Sequence, residues 1–222
     1  MVSLELSLGG EPQKVELSRL IIAGWAGRDQ AALQAHIHEL EELGVPPPAS
    51  TPVFYRLSAA RVTPSPSIEV LGADSSGEVE AVLLRWKGEL WVGVGSDHTD
   101  RKAEAVGIAL SKQMCDKPIG ADFWRYAEVR GHWDRLALRS SRHADGEDAV
   151  YQDGSVSELL APEELIDRLG EDLEEGAMMF CGTVAAIGGI RPAEALEVEL
   201  SDPVLGRSIR HRYQAVQLPV VA

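Results

Sequence analysis

Glu78, Glu80 and Asp97 are the residues of this 222-residue chain whose types and spacing point most directly to chemistry. The stretch 77–100, GEVEAVLLRWKGELWVGVGSDHTD, reads as two extended runs, 79–86 and 90–95, joined by a tight turn at Lys87-Gly88. With two residues in the turn, Trp86 faces Glu89, Leu84 faces Trp91, Val82 faces Gly93, Glu80 faces Gly95 and Glu78 faces Asp97. Alternate side chains of a strand share a face and opposed ones are close, so this register gathers three carboxylates on one side of the ribbon. Among buried strand residues three ionised carboxylates are strongly unfavourable without a cation. An oxygen-only set suits a hard divalent ion, Mg²⁺ or Mn²⁺ before Ca²⁺, and Gly93 and Gly95 would leave an open position beside it. The same residues also read as a solvated strand end with Asp97 capping a turn. A second E-V-E, Glu197-Val198-Glu199, has no aspartate across a comparable ribbon. Spacing alone leaves both readings open.

The elements that must position these groups are mixed, with strands dominant. Leu4 and Leu6 alternate in a strand-like start, and short β-like runs fall at 20–23, 53–57, 68–71, 136–139, 178–181, 196–200 and 208–213. Apolar residues Leu33, Ile37, Leu40 and Leu43 predict a helix over 28–43, stopped by Gly44 and the prolines from Pro46. Further helices are expected over 102–112 and 161–169, the latter with Pro162 in its first turn. The segment 140–154 reads as an exposed loop or hairpin tip. With no internal repeat and no low-complexity linker, a single mixed α+β domain over 1–222 is expected.

Composition excludes some classes. Lys+Arg 21 against Asp+Glu 35 gives a formal charge of −14, which repels phosphate backbones, and no basic run offsets it, so no nucleic-acid partner is expected. Cys115 and Cys181 match no CxxC spacing and indicate neither a zinc site nor a disulfide framework. The N-terminus lacks the pattern of a signal peptide and no apolar run is long enough to span a bilayer. The expectation is a cytoplasmic protein without membrane partners.

Several segments, in one order, resemble the fumarylacetoacetate hydrolase family. Glu78-Val79-Glu80 matches its E-x-E pair, and Ser96-Asp97-His98-Thr99-Asp100-Arg101 is similar to its N-D-x-S/T-x-R. Lys112 in SKQMCDKPIG matches a lysine that precedes P-x-G, here Pro118 and Gly120. YQDGSVSELLAPEELI from Tyr151 looks like Q-D-G-x-T/S followed by a helix, and CGTVAAIGG from Cys181 is similar to T-G-T-P-x-G-V-G. His36-Ile37-His38-Glu39-Leu40 resembles the family's H-x-x-E-L segment. The likeness covers about 20–213. Ser96 for Asn, Val184 for Pro, Arg56 for Lys and Trp25-Ala26 for an Asn-Tyr pair mark a divergent bacterial branch and bear on the substrate.

The resemblance implies a mixed β-roll or sandwich with short flanking helices, a homodimer, bound Mg²⁺ or Mn²⁺, and a 2-oxo or 1,3-dicarbonyl acid as substrate. It implies metal ligands Glu78, Glu80 and Asp97, catalytic Lys112, and His36 as a base oriented by Glu39, which lies three residues on along one helical face. Read without it, His36, His38, Glu39, Glu41 and Glu42 are the wet face of an amphipathic helix, with His38 and Glu42 a rival pair. Arg56, Gln152, Gly182 and Thr183 are implied at the substrate. His98 is expected to face away from Asp97 and to pack. The reaction implied is C–C bond cleavage through an enolate whose charge the ion spreads, with water activated by His36 and an oxyanion held by Lys112 and the Gly182-Thr183 backbone. Decarboxylation, isomerisation and hydration use the same site, and a non-catalytic ligand-binding homodimer stands beside them.

Overall fold

A computed structural model describes residues 1–42, 47–144 and 146–221, and within the first helix it leaves out the side chains of residues 36, 39, 40 and 42. Alternation of apolar and polar residues folds Val2–Leu8 (β1) and Glu11–Leu17 (β2) into a hairpin that buries Leu4, Leu6, Val15 and Leu17 and turns Glu5 and Lys14 outward as a facing pair. Arg19–Gly24 (β3) follows. Asp29 then accepts the N–H groups of Ala31 and Ala32, each at 3.0 Å, and starts the helix Gln30–Glu42 (α1). The chain continues through Val53–Leu57 (β4), Ser67–Leu71 (β5), Val79–Trp86 (β6) and Glu89–Ser96 (β7) to two short helices, Arg101–Glu104 (α2) and Ile108–Met114 (α3). Asp122–Arg125 (β8), Ala137–Ala144 (β9) and Glu147–Ser155 (β10) precede the helix Pro162–Leu169 (α4), and Ala177–Thr183 (β11), Ala195–Asp202 (β12) and Arg207–Leu218 (β13) complete the fold.

Eight strands make one sheet in the order β2-β1-β8-β7-β6-β11-β3-β4, and five make a second in the order β10-β9-β12-β13-β5. Ala81, Leu83, Val92 and Val94 on one face of the first sheet share a core with Leu138, Val198, Leu200 and Ile209 of the second. Val82 and Leu84 on the other face pack with Leu6, Val15, Phe123 and Phe180. Both faces of β6 are thus covered, which is why its sequence is a nearly unbroken apolar run.

The β6–β7 hairpin has the expected register: Glu80 opposes Gly95, Val82 opposes Gly93, and the Asp97 N–H donates to the Glu78 carbonyl at 3.0 Å. Lys87 (φ 54°) and Gly88 (φ 74°) form the turn, both in the left-handed region that matches strand twist. Three expectations are corrected. The helix over 102–112 is two, because the chain leaves helical geometry at Gly107, a poor helix former, and restarts at Ile108. Of the two readings of 140–154 the hairpin holds and the loop is corrected, since β9 and β10 pair over Ala137–Ala144 with a bulge between Ser140 and Ser141. Two strands, β2 and β8, escape the sequence reading; β2 is polar and holds Pro12, which its place at the sheet edge tolerates. Among the described residues no helix is long and apolar enough to cross a membrane.

Candidate active site

The end of the β6–β7 hairpin brings Glu78, Glu80 and Asp97 to the wall of one cavity of about 510 Å³, where Lys112, Gly182 and Thr183 join them. Glu80 is 2% exposed, and its Oε2 accepts the Gly182 N–H at 2.7 Å. Gly182 has φ 95°, and a Cβ there would lie 2.9 Å from the Ala26 Cβ, so the position requires glycine. Asp97 is wholly buried between two ammonium groups: Lys112 pairs directly with Oδ2, and Lys117 stands 3.2 Å from Oδ1. Lys117 is itself wholly buried and also donates to the carbonyls of His98 and Lys112. Arg101 lies 3.2 Å from both the Glu78 and Glu104 carboxylates.

The premise that only a dication can balance this triad is therefore corrected: the chain brings its own cations from α2, α3 and Lys117. Their effect is uneven. Burial pushes Asp97 up, but Lys112 and Lys117 hold it at about 2. Burial, then the charge of Asp97, drive Glu80 well above the carboxylate range. Burial pulls Lys112 down, yet Asp97 and Glu78 keep it above its ordinary value, while burial leaves Lys117 below its own. Among the described residues no group of three or more His, Cys, Asp or Glu side chains is arranged to hold an ion as it stands: Asp97 and Glu78 turn to chain cations and Glu80 to the Gly182 N–H. The donor set nevertheless fits a hard dication. It is oxygen-only, it lies on one wall, and it includes a buried carboxyl driven towards protonation, whose proton an ion would replace.

Other expected site residues are distributed differently. The His36 and Glu39 side chains lie outside the described residues. Gln152 is buried behind the wall, not at the cavity. Its Oε1 accepts from the Val79 N–H and the Ser140 hydroxyl, both at 2.9 Å, and its Nε2 donates to Thr183 Oγ1 and the Val184 carbonyl, both at 2.7 Å. The amide's hydrogen-bonding capacity is filled, so Gln152 fixes the wall and leaves nothing for a ligand. Arg56 is also displaced: neighbours on a strand face opposite ways, so Tyr55 lines the cavity while Arg56 pairs with Glu171 elsewhere. The room expected at Gly93 and Gly95 is filled, because Cβ atoms there would meet Phe123 at 2.7 Å and Phe180 at 2.8 Å. His98 is buried with Nδ1 2.9 Å from the Tyr213 hydroxyl and Nε2 2.9 Å from the Ser75 hydroxyl.

Lys117, Tyr55 and Glu104 were not singled out from the sequence, and Arg101 entered only as the last residue of a motif, with no role. The signal for Lys117 was slight: it precedes Pro118 in a short strand paired in parallel with Val62–Thr63, and only that tertiary pairing carries it beneath Asp97.

The chain has the fold of the fumarylacetoacetate hydrolase family. It matches a protein from Oleispira antarctica assigned as a fumarylacetoacetate isomerase/hydrolase with a TM-score of 0.68 at 22% identity, over 97% of this chain and 100% of that one. Yeast Ynq8, a fumarylacetoacetate hydrolase family protein, matches at 0.65 and 18% identity, over 92% and 95% of the two chains. A 2-keto-3-deoxy-D-arabinonate dehydratase complexed with magnesium and 2,5-dioxopentanoate matches at 0.62 and 14% identity, over 95% and 78%. No curated protein matches the chain. A family model described as protein of unknown function (DUF2848) matches residues 23–213, and the chain belongs to that family.

Proposed function

We propose that this protein is a divalent-metal-dependent lyase or hydrolase acting on a 2-oxo or 1,3-dicarbonyl acid, with C–C bond hydrolysis as the leading reaction. The observation that carries the reading is the convergence of Glu78, Glu80, Asp97 and Lys112 on one cavity wall. The magnesium complex of the structurally similar dehydratase supports it. Mg²⁺ or Mn²⁺ would be held by Glu78, Glu80 and Asp97, and when bound supplies positive charge beside an electron-rich carbonyl oxygen.

The chain's own groups divide the remaining work. Lys112, held cationic by Asp97, anchors the substrate carboxylate or an oxyanion. The Gly182 N–H is engaged by Glu80, so the end of β11 orients a carboxylate instead of meeting the substrate, and the Thr183 hydroxyl donates to the Val79 carbonyl at 2.7 Å. Arg56 and Gln152 take no part. His36, on the helix that follows the Trp25–Gly27 segment of the wall, takes the proton from an attacking water, with Glu39 orienting its ring. The protein works as a cytoplasmic homodimer in this reading.

Turnover of oxaloacetate, acylpyruvates and 2-hydroxydienoates in Mg²⁺, followed by NMR, tests the proposal. Two acids as products support hydrolysis, CO₂ with a single acid one carbon shorter supports decarboxylation, and a rearranged or hydrated acid supports the isomerase or hydratase. Glu80→Gln is expected to abolish turnover and to weaken Mg²⁺ binding, by calorimetry, by at least about 10–100-fold. Mg²⁺ binding with no turnover of any of these acids would leave a ligand-binding protein instead.

A further inference from the structure

Trp25 lines the cavity with φ 57°, in the left-handed region that a bulky residue occupies only where its surroundings compel it. The surroundings are on the next strand. Tyr55 of β4 lies so close to the chain that a Cβ on Gly24 would sit 2.7 Å from its ring, and Tyr55 and Trp25 both line the cavity. The Tyr55 ring centre is 5.8 Å from Lys112 Nζ. An aromatic pair therefore begins where the cation that anchors the head group ends. Ile108, Val184 and Ile190 continue the same wall.

The charges of that wall are one-sided. Among the described residues Lys112 is its one cation, and beyond the triad its charged residues are Glu104 and Glu158. Arg101, behind them, is held between Glu78 and Glu104. Of the residues whose side chains are not described, only His36 can carry positive charge. A second carboxylate on the substrate would thus meet aromatic rings and acidic groups instead of a partner, at the cost of an unpaired charge.

We propose that Trp25 and Tyr55 seat an uncharged, apolar tail, so that the acid this site takes is a 2-oxo monocarboxylate bearing an alkyl or aryl chain, not a dicarboxylate. The head group in this inference rests on the proposed function; the tail rests on Trp25, Tyr55 and the charge asymmetry.

The test compares two acids of equal length, 2-oxohexanoate and 2-oxoadipate, with pyruvate as the head alone, by calorimetry on the Mg²⁺-loaded protein. The expected result is at least about 10-fold tighter binding of 2-oxohexanoate than of 2-oxoadipate. Trp25→Gly, which suits a positive φ, should collapse that ratio towards one while the melting temperature stays level or rises. Trp25→Asn, also tolerant of this conformation, provides a second variant with the same expectation. Equal or tighter binding of 2-oxoadipate overturns the tail assignment and leaves the proposed function standing. A variant that melts earlier, or loses pyruvate and 2-oxohexanoate by the same factor, gives Trp25 a structural role and also overturns it. Failure of all three acids to bind removes the head group, and both proposals fall.

Discussion

Glu78-Val79-Glu80 and Glu197-Val198-Glu199 are the same tripeptide on two strands, each with its valine fully buried, and they meet opposite fates. On β12, Glu199 stands between Arg139 of β9 and Arg210 of β13, and its carboxylate pairs with Arg210 at 2.8 Å on an open face of the second sheet. Each charge is answered by its neighbour in the ladder and by water. On β6, Glu80 opposes Gly95 and Glu78 lies against Asp97, so the ladder offers no cation. The cations come from Arg101, Lys112 and Lys117, outside the ladder, and they arrive with the layer that covers this face. The tripeptide defines a strand and a face. What lies over that face decides whether its carboxylates are solvated or become a site.

The sharpest way to break this contrast is to remove one cation from each place. Lys117 and Asp97 are both wholly buried, and Lys117→Met leaves Asp97 short of a partner where water cannot reach it. Leaving a buried charge wholly bare costs about 3–5 kcal/mol; the loss here stays below that because Lys112 remains on Asp97. Arg210→Met removes a cation whose carboxylate partner already meets solvent, and the urea midpoint should not move. Equal losses in urea unfolding would mean that the covering layer makes no difference.

Acid sharpens the contrast next. Burial, then the charges of Lys117 and Arg101, hold His98 down at about 3, whereas a free imidazole titrates near pH ~6.5. The folded value lies below the unfolded one, so the unfolded chain takes the proton first. The stability that neutral His98 contributes is intact above about pH 6.5 and falls as pH drops below it, by up to about 1.4 kcal/mol per pH unit, while Glu80, whose raised value makes the folded chain take its proton first, slopes the opposite way. Asp97, depressed to about 2, adds its own loss only below about pH 4. His211, also lowered by burial, contributes in the His98 window, so His98→Gln should reduce the slope between those limits without abolishing it. Thermal melts across that range in metal-free buffer read the difference, and an unchanged slope would remove His98 from the account.

The same contrast explains what was legible in the sequence. Lys87-Gly88 and the alternation around it specify the hairpin register, and with it the meeting of Glu78, Glu80 and Asp97, because turn and pleat are local. Family motifs led to Lys112 and to Gly182-Thr183 at the end of β11. Contacts made across layers were not legible. Phe123 and Phe180 occupy the room expected at Gly93 and Gly95, and no spacing rule links Lys117 to Asp97. Gln152 sits in a motif but spends its amide on Val79, Ser140 and the 183–184 segment, and the facing of Arg56 depends on which side of β4 the cavity lies. His36 and Glu39 rest on the resemblance alone.

The smallest expected effect is also the most specific check on the tripeptide. If E-V-E were enough to attract a dication, Glu199→Gln would weaken Mg²⁺ binding as Glu80→Gln does. The hollow beside Glu197 and Glu199 is instead lined by Arg139 and Arg210, which repel a cation and already engage the carboxylate. Calorimetry should therefore give Glu199→Gln the wild-type Mg²⁺ affinity and stoichiometry. Salt should barely separate the two in stability either, because raising ionic strength from about 0.1 to 1 M shortens the screening length from ~10 to ~3 Å and weakens only a pair already bathed in water. A Glu199→Gln protein that binds less Mg²⁺ would show the tripeptide acting without a covering layer, and the distinction between the two strands would be lost.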